Sequence, residues 1–229
     1  MKFSVIIPAG GIGKRFSTNM KKQFFKLNNK EIIYHTLFKI SFLDAEEIII
    51  GCDPYDEEDL KLILNSLNID NYKFAPNGKE RQHTVMNCLK IATQPHVFIH
   101  DAVRPFLSMK IIERLIGNYL DYDGVICGIK PNDTVKIIND KNNVDETIDR
   151  NRVLLVHTPQ IFKKDILNKC LKEINERGLT ITDEAMALEF FGYKVGFVNS
   201  EWYNIKITTQ NDIYLAEYIL NNFDMIAGG

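Results

Sequence analysis

FSVIIPAGGIGKRF, residues 3–16, decides how the rest of this chain is read. A short apolar run of mostly branched side chains stops at Pro8. Ala9, Gly10, Gly11 and Gly13 follow with one interruption, and then the adjacent cations Lys14 and Arg15. The first half predicts a buried strand. The second half predicts a turn whose residues lack side-chain bulk. A ligand can approach its backbone closely, and successive N–H groups in such a turn form a nest for an anion. Two familiar phosphate loops are excluded by counting. A P-loop has a glycine five residues before the glycine of its G-K-[ST] end; that position is Pro8, and Lys14 is followed by Arg15. The dinucleotide fingerprint G-x-G-x-x-G, started at Gly11 and Gly13, ends on Phe16. What remains is a cation-flanked glycine turn after a first strand, suited to a polyphosphate. A purely structural turn is the alternative.

Outward from this strand, strand and helix signals alternate. EIIYHTLFKISF has helical apolar spacing at Ile33, Leu37 and Ile40; EEIIIGC is a strand; DEEDLKLILNSL is a helix with acids in its first turn. YKFAP, HVFIHD and GVICGI read as further strands, and KERQHTVMNCLKIA and the serine-capped SMKIIERLIGNYL as helices. This rhythm predicts an α/β fold, a mainly parallel twisted sheet with helices on both faces. Ligands of such sheets sit beyond the carboxyl ends of the strands, where both the glycine turn and Asp101 fall. The rhythm breaks after Gly128. Two short strand-like runs surround the turn-rich NDKNN, predicting a projecting hairpin over residues 131–152. An isolated hairpin is marginal in water, so it packs on a second subunit or on its own domain. Helices over 163–177, 183–191 and 211–222 and a strand at YKVGFV complete the chain, and the tail MIAGG is expected to fray. Residues 1–229 read as a single domain that includes the hairpin.

Composition narrows the partners. The 229 residues are 45% hydrophobic with a net charge of −2, so the average favours neither nucleic acid nor membrane. The charge is unevenly placed: residues 1–30 hold seven Lys or Arg and no acid. A local block of cations around a glycine turn predicts a small anionic ligand; a solvated face is the plain alternative. Cys52, Cys88, Cys127 and Cys170 are far apart with no C-x-x-C, as in a reduced cytoplasmic protein. No zinc spacing appears among the histidines, and no apolar run is long enough to span a bilayer.

Three residues, taken one at a time, have plain readings. Asp101, at the end of HVFIHD, can serve a ribose hydroxyl or a magnesium ion, or can be a buried partner of Arg104. Lys206 in NIKITTQND can be a snorkelling surface lysine. Arg150 in TIDRN by itself is an ordinary surface arginine.

Taken together, the segments PAGGIGKRF, KKQFFKL, NGKERQHTV, HDAVRPF, NDTVK, TIDRN, HTPQIF, TITDEAMALEFFG and NIKITTQND run over nearly the whole chain. Their order resembles the 2-C-methyl-D-erythritol 4-phosphate cytidylyltransferases. It also resembles the ribitol-5-phosphate cytidylyltransferases: TIDRN and TITDEAMALE favour the former, AGGIG, HDAVRPFL and WYNIKITT the latter. The resemblance implies a Rossmann-like, nucleotide-diphospho-sugar transferase sheet and a homodimer whose hairpin arms hook around each other. It implies CTP with magnesium as the metal, a sugar-alcohol phosphate acceptor, and release of pyrophosphate. Carried over residue by residue, Ala9, Gly10, Gly11, Gly13, Gly78, Lys79, Arg81, Thr84 and Asp101 match nucleotide positions. Asp101 also matches a position near the metal. Arg15 and Lys22 match catalytic cations. Thr134, Arg150, Thr158, Thr182 and Lys206 match positions around the acceptor, with Thr134 and Arg150 serving the partner's site. Gly10 and Val103 stand where alanine is usual, Thr84 where serine is usual, and Lys79 where an acid is usual. A catalytically idle nucleotide-binding regulator on the same fold is the alternative of a different class.

Overall fold

The structure is a computed structural model that describes residues 1–11, 16 and 21–228. Strand β1 (Phe3–Pro8) leads, after the glycine turn, to the small pair β2 (Lys26–Leu27) and β3 (Lys30–Glu31). Then follow α1 (Ile32–Ile40), β4 (Glu47–Cys52), α2 (Glu57–Ser66), β5 (Tyr72–Pro76), α3 (Arg81–Ile91), β6 (His96–Ile99), α4 (Met109–Asn118) and β7 (Gly124–Ile129). The pair β8 (Val135–Ile138) and β9 (Val144–Ile148) precedes β10 (Leu155–Lys163), α5 (Lys164–Glu176), α6 (Glu184–Phe190), β11 (Val195–Asn199), α7 (Asn211–Asn221) and α8 (Phe223–Ala227).

Seven strands form one sheet in the order β11-β7-β10-β6-β1-β4-β5. All neighbours pair in parallel except β10, which runs antiparallel between β6 and β7. Side chains along β1 and β4 alternate between the two faces. Val5, Ile7, Ile48 and Ile50 pack with α1, α2 and α4 on one side. Ile6 and Ile49 pack with α3, α5 and α6 on the other. The mainly parallel sheet with two helical layers is therefore as the alternation predicts. Strands buried on both faces read as unbroken apolar runs, which is why FSVIIP and EEIIIGC were legible.

Strand β10 is absent from the sequence reading, although it lies inside the sheet. Its centre, His157-Thr158-Pro159-Gln160, is polar and carries a proline, which argues against a central strand. Specific hydrogen bonds compensate: Asn204 Nδ2 donates to the Thr158 carbonyl at 2.9 Å, and Gln160 Nε2 donates to Asp183 Oδ2 at 2.9 Å. The pairing with β7 shifts register between His157 and Ile161, so the proline falls where the ladder is interrupted. Two smaller expectations are also corrected. The tail is helical as far as Ala227, with Phe223 stacked on Phe106 at 6.3 Å between ring centroids. Ser108 holds the N-cap position of α4, but its hydroxyl makes no cap hydrogen bond.

Over residues 135–148 a hairpin forms: among the described residues, β8 and β9 pair only with each other. Asn139 Oδ1 closes its turn by accepting from the N–H groups of Lys141 and Asn143, and Asn142 adopts φ +59°.

Glu47 on β4 is a buried acid. Its Oε1 accepts from Ser4 Oγ at 2.7 Å and from the N–H and hydroxyl of Thr93 at 2.6 and 2.9 Å, and its Oε2 meets Lys73 Nζ at 2.6 Å. Burial alone would raise the pKa. Lys73 and the hydroxyl and amide donors outweigh it and hold the carboxyl at about 2, below its ordinary 4.5. A folded-state pKa below the unfolded one stabilises the fold above the unfolded value and stops doing so as pH falls through the folded value. Glu47→Gln is therefore expected to be less stable than the wild type at pH 7, by up to about 3 kcal/mol. The gap should narrow between pH 4.5 and 2 in urea titrations. A gap independent of pH would refute the assignment.

Candidate functional site

Four parallel strands, β1, β4, β5 and β6, end at one cleft of about 610 Å³. Ala9, Gly10 and Gly11 come from beyond β1, Asp53 from beyond β4, the segment Asn77–Arg81 from beyond β5, and Asp101 from beyond β6. The cleft lies where the chain order reverses about β1, the usual ligand position in such sheets. Gly10 faces Asn77: a Cβ added at Gly10 would stand 2.3 Å from Asn77 Cβ, so the usual alanine cannot be accommodated beside this asparagine without a shift. A Cβ at Gly78 would likewise stand 2.3 Å from His83 Cβ. The Gly78 N–H donates to Thr84 Oγ1 at 2.9 Å, which tightens the turn into α3. The hydroxyl of Thr84 thus acts on the backbone of the site. Lys79 lines the same wall and is exposed.

Lys22 also lines this cleft, in a short helical turn (Lys22–Phe24). Both its neighbours are tied down. Gln23 Nε2 donates to the Ala9 carbonyl at 2.6 Å. Lys21 Nζ reaches Asp56 at 2.7 and 2.8 Å and Asp53 Oδ2 at 3.3 Å. Burial would lower the Lys21 pKa; its bonds to Asp56 and Asp53 outweigh that and raise it. Lys21 is thus committed to two carboxylates, while Lys22 lies along the cleft. Gly13 and Arg15 fall outside the described residues.

Lys206 closes the cleft from the far end of the chain, and with Arg81 and Asp101 it also lines a second cavity of about 430 Å³. Thr158 and Thr182 line this second cavity. The shared wall is a charge cluster. Asp101 Oδ2 meets Lys206 Nζ at 2.8 Å and Arg104 Nε at 3.5 Å, and Oδ1 accepts from Arg81 Nε at 3.1 Å. Burial would raise the Asp101 pKa, but the charges of Arg81, Lys206 and Arg104 prevail and hold the carboxyl well below the usual range. Arg81 makes a forked contact with the fully buried Glu184, at 2.6 and 2.8 Å. The pairing of Asp101 with Arg104 is present, and Asp101 also lines both cavities. The snorkelling reading of Lys206 is replaced by an ion pair.

Behind this wall, the Asp101 N–H donates to Thr158 Oγ1 at 3.0 Å, and Thr158 Oγ1 lies 3.2 Å from His100 Nδ1. His100 is fully buried and its pKa is pushed down to about 4 by burial, so it is neutral at pH 7. Its Nε2 lies 3.0 Å from the Arg104 carbonyl and must carry the proton there. Nδ1 then accepts from the Thr158 hydroxyl. That hydroxyl is engaged on both sides within the protein. The Thr182 hydroxyl contacts Met186 Sδ at 3.8 Å.

Thr134 and Arg150 line neither cavity. Both are exposed, at the base of the hairpin, where Arg150 Nη1 donates to the Asn132 carbonyl. Glu184 and Gln23 were not singled out from sequence. Both lie in quoted segments, TITDEAMALE and KKQFFKL, but an acid in a first helical turn and a glutamine after two lysines look ordinary without their partners.

Among the described residues there is no group of three or more His, Cys, Asp and Glu able to hold a metal. The Asp101 carboxylate is already shared by three cations. It fits a magnesium ion as one ligand among phosphate oxygens, as is usual for that ion, and not as the anchor of a protein-built cage.

The family model for 2-C-methyl-D-erythritol 4-phosphate cytidylyltransferase matches residues 3–222. A protein of that name from Clostridium botulinum (strain Langeland / NCTC 10281 / Type F) is 39% identical over 223 residues, 96% of this chain and 97% of its own. Another from Clostridium botulinum (strain Eklund 17B / Type B) is 40% identical, over 95% of this chain and 99% of its own. The crystal structure of 4-diphosphocytidyl-2C-methyl-D-erythritol synthase from Anaerococcus prevotii DSM 20548 superposes with a TM-score of 0.85 at 31% identity, covering 96% of each chain. With residues 9–11, the Asp101 cluster and the two joined cavities in place, this chain belongs to the 2-C-methyl-D-erythritol 4-phosphate cytidylyltransferase family.

Proposed function

We propose that the protein joins CTP and 2-C-methyl-D-erythritol 4-phosphate to give 4-diphosphocytidyl-2-C-methyl-D-erythritol and pyrophosphate, a step of non-mevalonate isoprenoid synthesis. The observation that carries the mechanism is the pair of cavities meeting at Arg81, Asp101 and Lys206. One suits a nucleoside triphosphate on the glycine turn, the other a polyol phosphate. The names of the relatives favour methylerythritol phosphate over ribitol phosphate.

The attacking group is a phosphate monoester, largely dianionic at neutral pH because its second pKa is near 6. It needs no general base, and His100, neutral and bonded through both ring nitrogens, offers none. The obstacle is the approach of one anion to another. Lys22 and Arg15 neutralise charge on the nucleotide side, and Lys206 faces the acceptor phosphate; such cations are worth most as charge builds at the α-phosphorus. Ala9, Gly10 and Gly11, with Gly13, supply backbone donors to the phosphates and base, while Gly78, Lys79 and Thr84 form the base-side wall. Asp101 would be the protein's ligand to a magnesium ion carried by the triphosphate, and the chemistry that ion would supply is charge withdrawal from the phosphates.

The hairpin suits a homodimer. Ile137, Ile138 and Val144 on it are 45, 64 and 60% exposed, and an isolated two-stranded ribbon is marginal in water. Thr134 and Arg150 would then complete the acceptor site of the partner subunit, with arginine suited to bidentate grip on a phosphate. Four free, buried cysteines fit a reducing cytoplasmic compartment. No described helix is long and apolar enough to cross a membrane.

A pyrophosphate-release grid tests the reading: each nucleoside triphosphate against methylerythritol phosphate, ribitol phosphate and no acceptor. Release is expected only with CTP and methylerythritol phosphate. Equal release with every acceptor, or a preference for ribitol phosphate, would overturn it.

A further inference from the structure

In the second cavity one polar side chain is left incomplete. Gln160, on β10, is fully buried and lines the cavity beside Thr158, Thr182 and Asp183. Its Nε2 donates to Asp183 Oδ2 at 2.9 Å. Asp183 also caps α6, accepting the Met186 N–H through Oδ1 at 3.1 Å. A carboxylate only accepts, so the orientation of the Gln160 amide is decided by Asp183. The NH₂ group faces the acid and Oε1 is left over, with no hydrogen-bond partner among the described residues. A buried acceptor without a donor is costly, and a ligand hydroxyl that supplies the donor gains what the empty site lacks. The neighbouring Thr158 hydroxyl cannot take this role, because it is engaged by the Asp101 N–H and His100.

Resting on the acceptor reading of this cavity, we propose that Gln160 Oε1 accepts a hydrogen bond from a hydroxyl of the polyol phosphate, making Gln160 a specificity-determining residue for the acceptor. The cap at Asp183 ties this amide to the start of α6, and Glu184, the next residue, anchors Arg81 on the shared wall. Hydroxyl recognition is thereby built into the same helix terminus that holds the charge cluster.

The test measures kcat/KM of the wild-type enzyme for methylerythritol phosphate and for analogues each lacking one free hydroxyl. One analogue is expected to lose roughly 10- to 100-fold. Gln160→Met should lose a similar factor on the parent acceptor, keep its KM for CTP within about twofold, and no longer distinguish the parent from that analogue. Gln160→Asn, which keeps the amide but withdraws its oxygen, should behave alike. Calorimetric CTP binding and a thermal melt report whether each variant is folded. If neither folds, the wild-type series decides: a selective loss supports the proposal and a flat series overturns it. Equal losses by folded variants on the parent and all analogues would show a merely structural role and overturn it too. Turnover of the parent with a flat series removes this proposal alone; no turnover of the parent removes the acceptor reading and the proposal with it.

Discussion

Asp101→Ala is expected to lower kcat/KM by at least about 10³-fold and to destabilise the protein by roughly 3–5 kcal/mol. The carboxylate is 6% exposed and stands among three cations, at 2.8 Å from Lys206, 3.1 Å from Arg81 and 3.5 Å from Arg104. Its loss leaves Arg104, itself 6% exposed, without its acid, and breaking a buried pair on one side is worse than never having it. Lys206 and Arg81 would lose the partner that aims them along the shared wall of both cavities, so binding of both substrates should suffer. Asp101→Asn keeps the shape, and its cost reports the charge alone. Urea unfolding and pyrophosphate release measure the two effects separately. Activity within tenfold of the wild type would show that the cluster is structural and has no part in turnover.

Lys22→Ala should lower kcat by about 10²–10³-fold while CTP affinity changes far less, the signature of a group used chiefly in the transition state. The reason is pre-organisation. Gln23 is bonded to the Ala9 carbonyl and Lys21 to Asp53 and Asp56, so the backbone on either side of Lys22 is held. Near-normal turnover would remove Lys22 from this role. Arg150→Ala is expected to be nearly as damaging, but through the partner's site. Mixing it with Lys22→Ala should restore about one working site per heterodimer, since one protomer then supplies an intact loop and the other an intact arm. No rescue in mixtures shown to exchange subunits would contradict a shared site.

Much of this architecture was legible before any coordinates. Buried parallel strands are unbroken apolar runs, and helices following them keep a period near 3.6, so FSVIIP, EEIIIGC and HVFIHD announced themselves together with the ends where ligands sit. Ala9, Gly10 and Gly11 were legible as cleft residues because a run without side-chain bulk after a first strand leaves room there. Strand β10 was not, because its polar centre is stabilised by partners more than twenty residues away, and periodicity carries no trace of them. The same holds for Glu184, whose value comes from Arg81, and for Thr158, whose hydroxyl turns out to serve the backbone of Asp101.

The order of residues alone therefore determined most strands of the sheet and the inventory of charged groups, since these depend on local pattern and composition. Only the tertiary structure decided which charges meet, that Asp101 joins two cavities, and that Gln160 keeps an acceptor in reserve. The physical reason is range: backbone preference acts between neighbours in sequence, whereas ion pairing and hydrogen bonding depend on distances in space that the chain establishes only once it is folded.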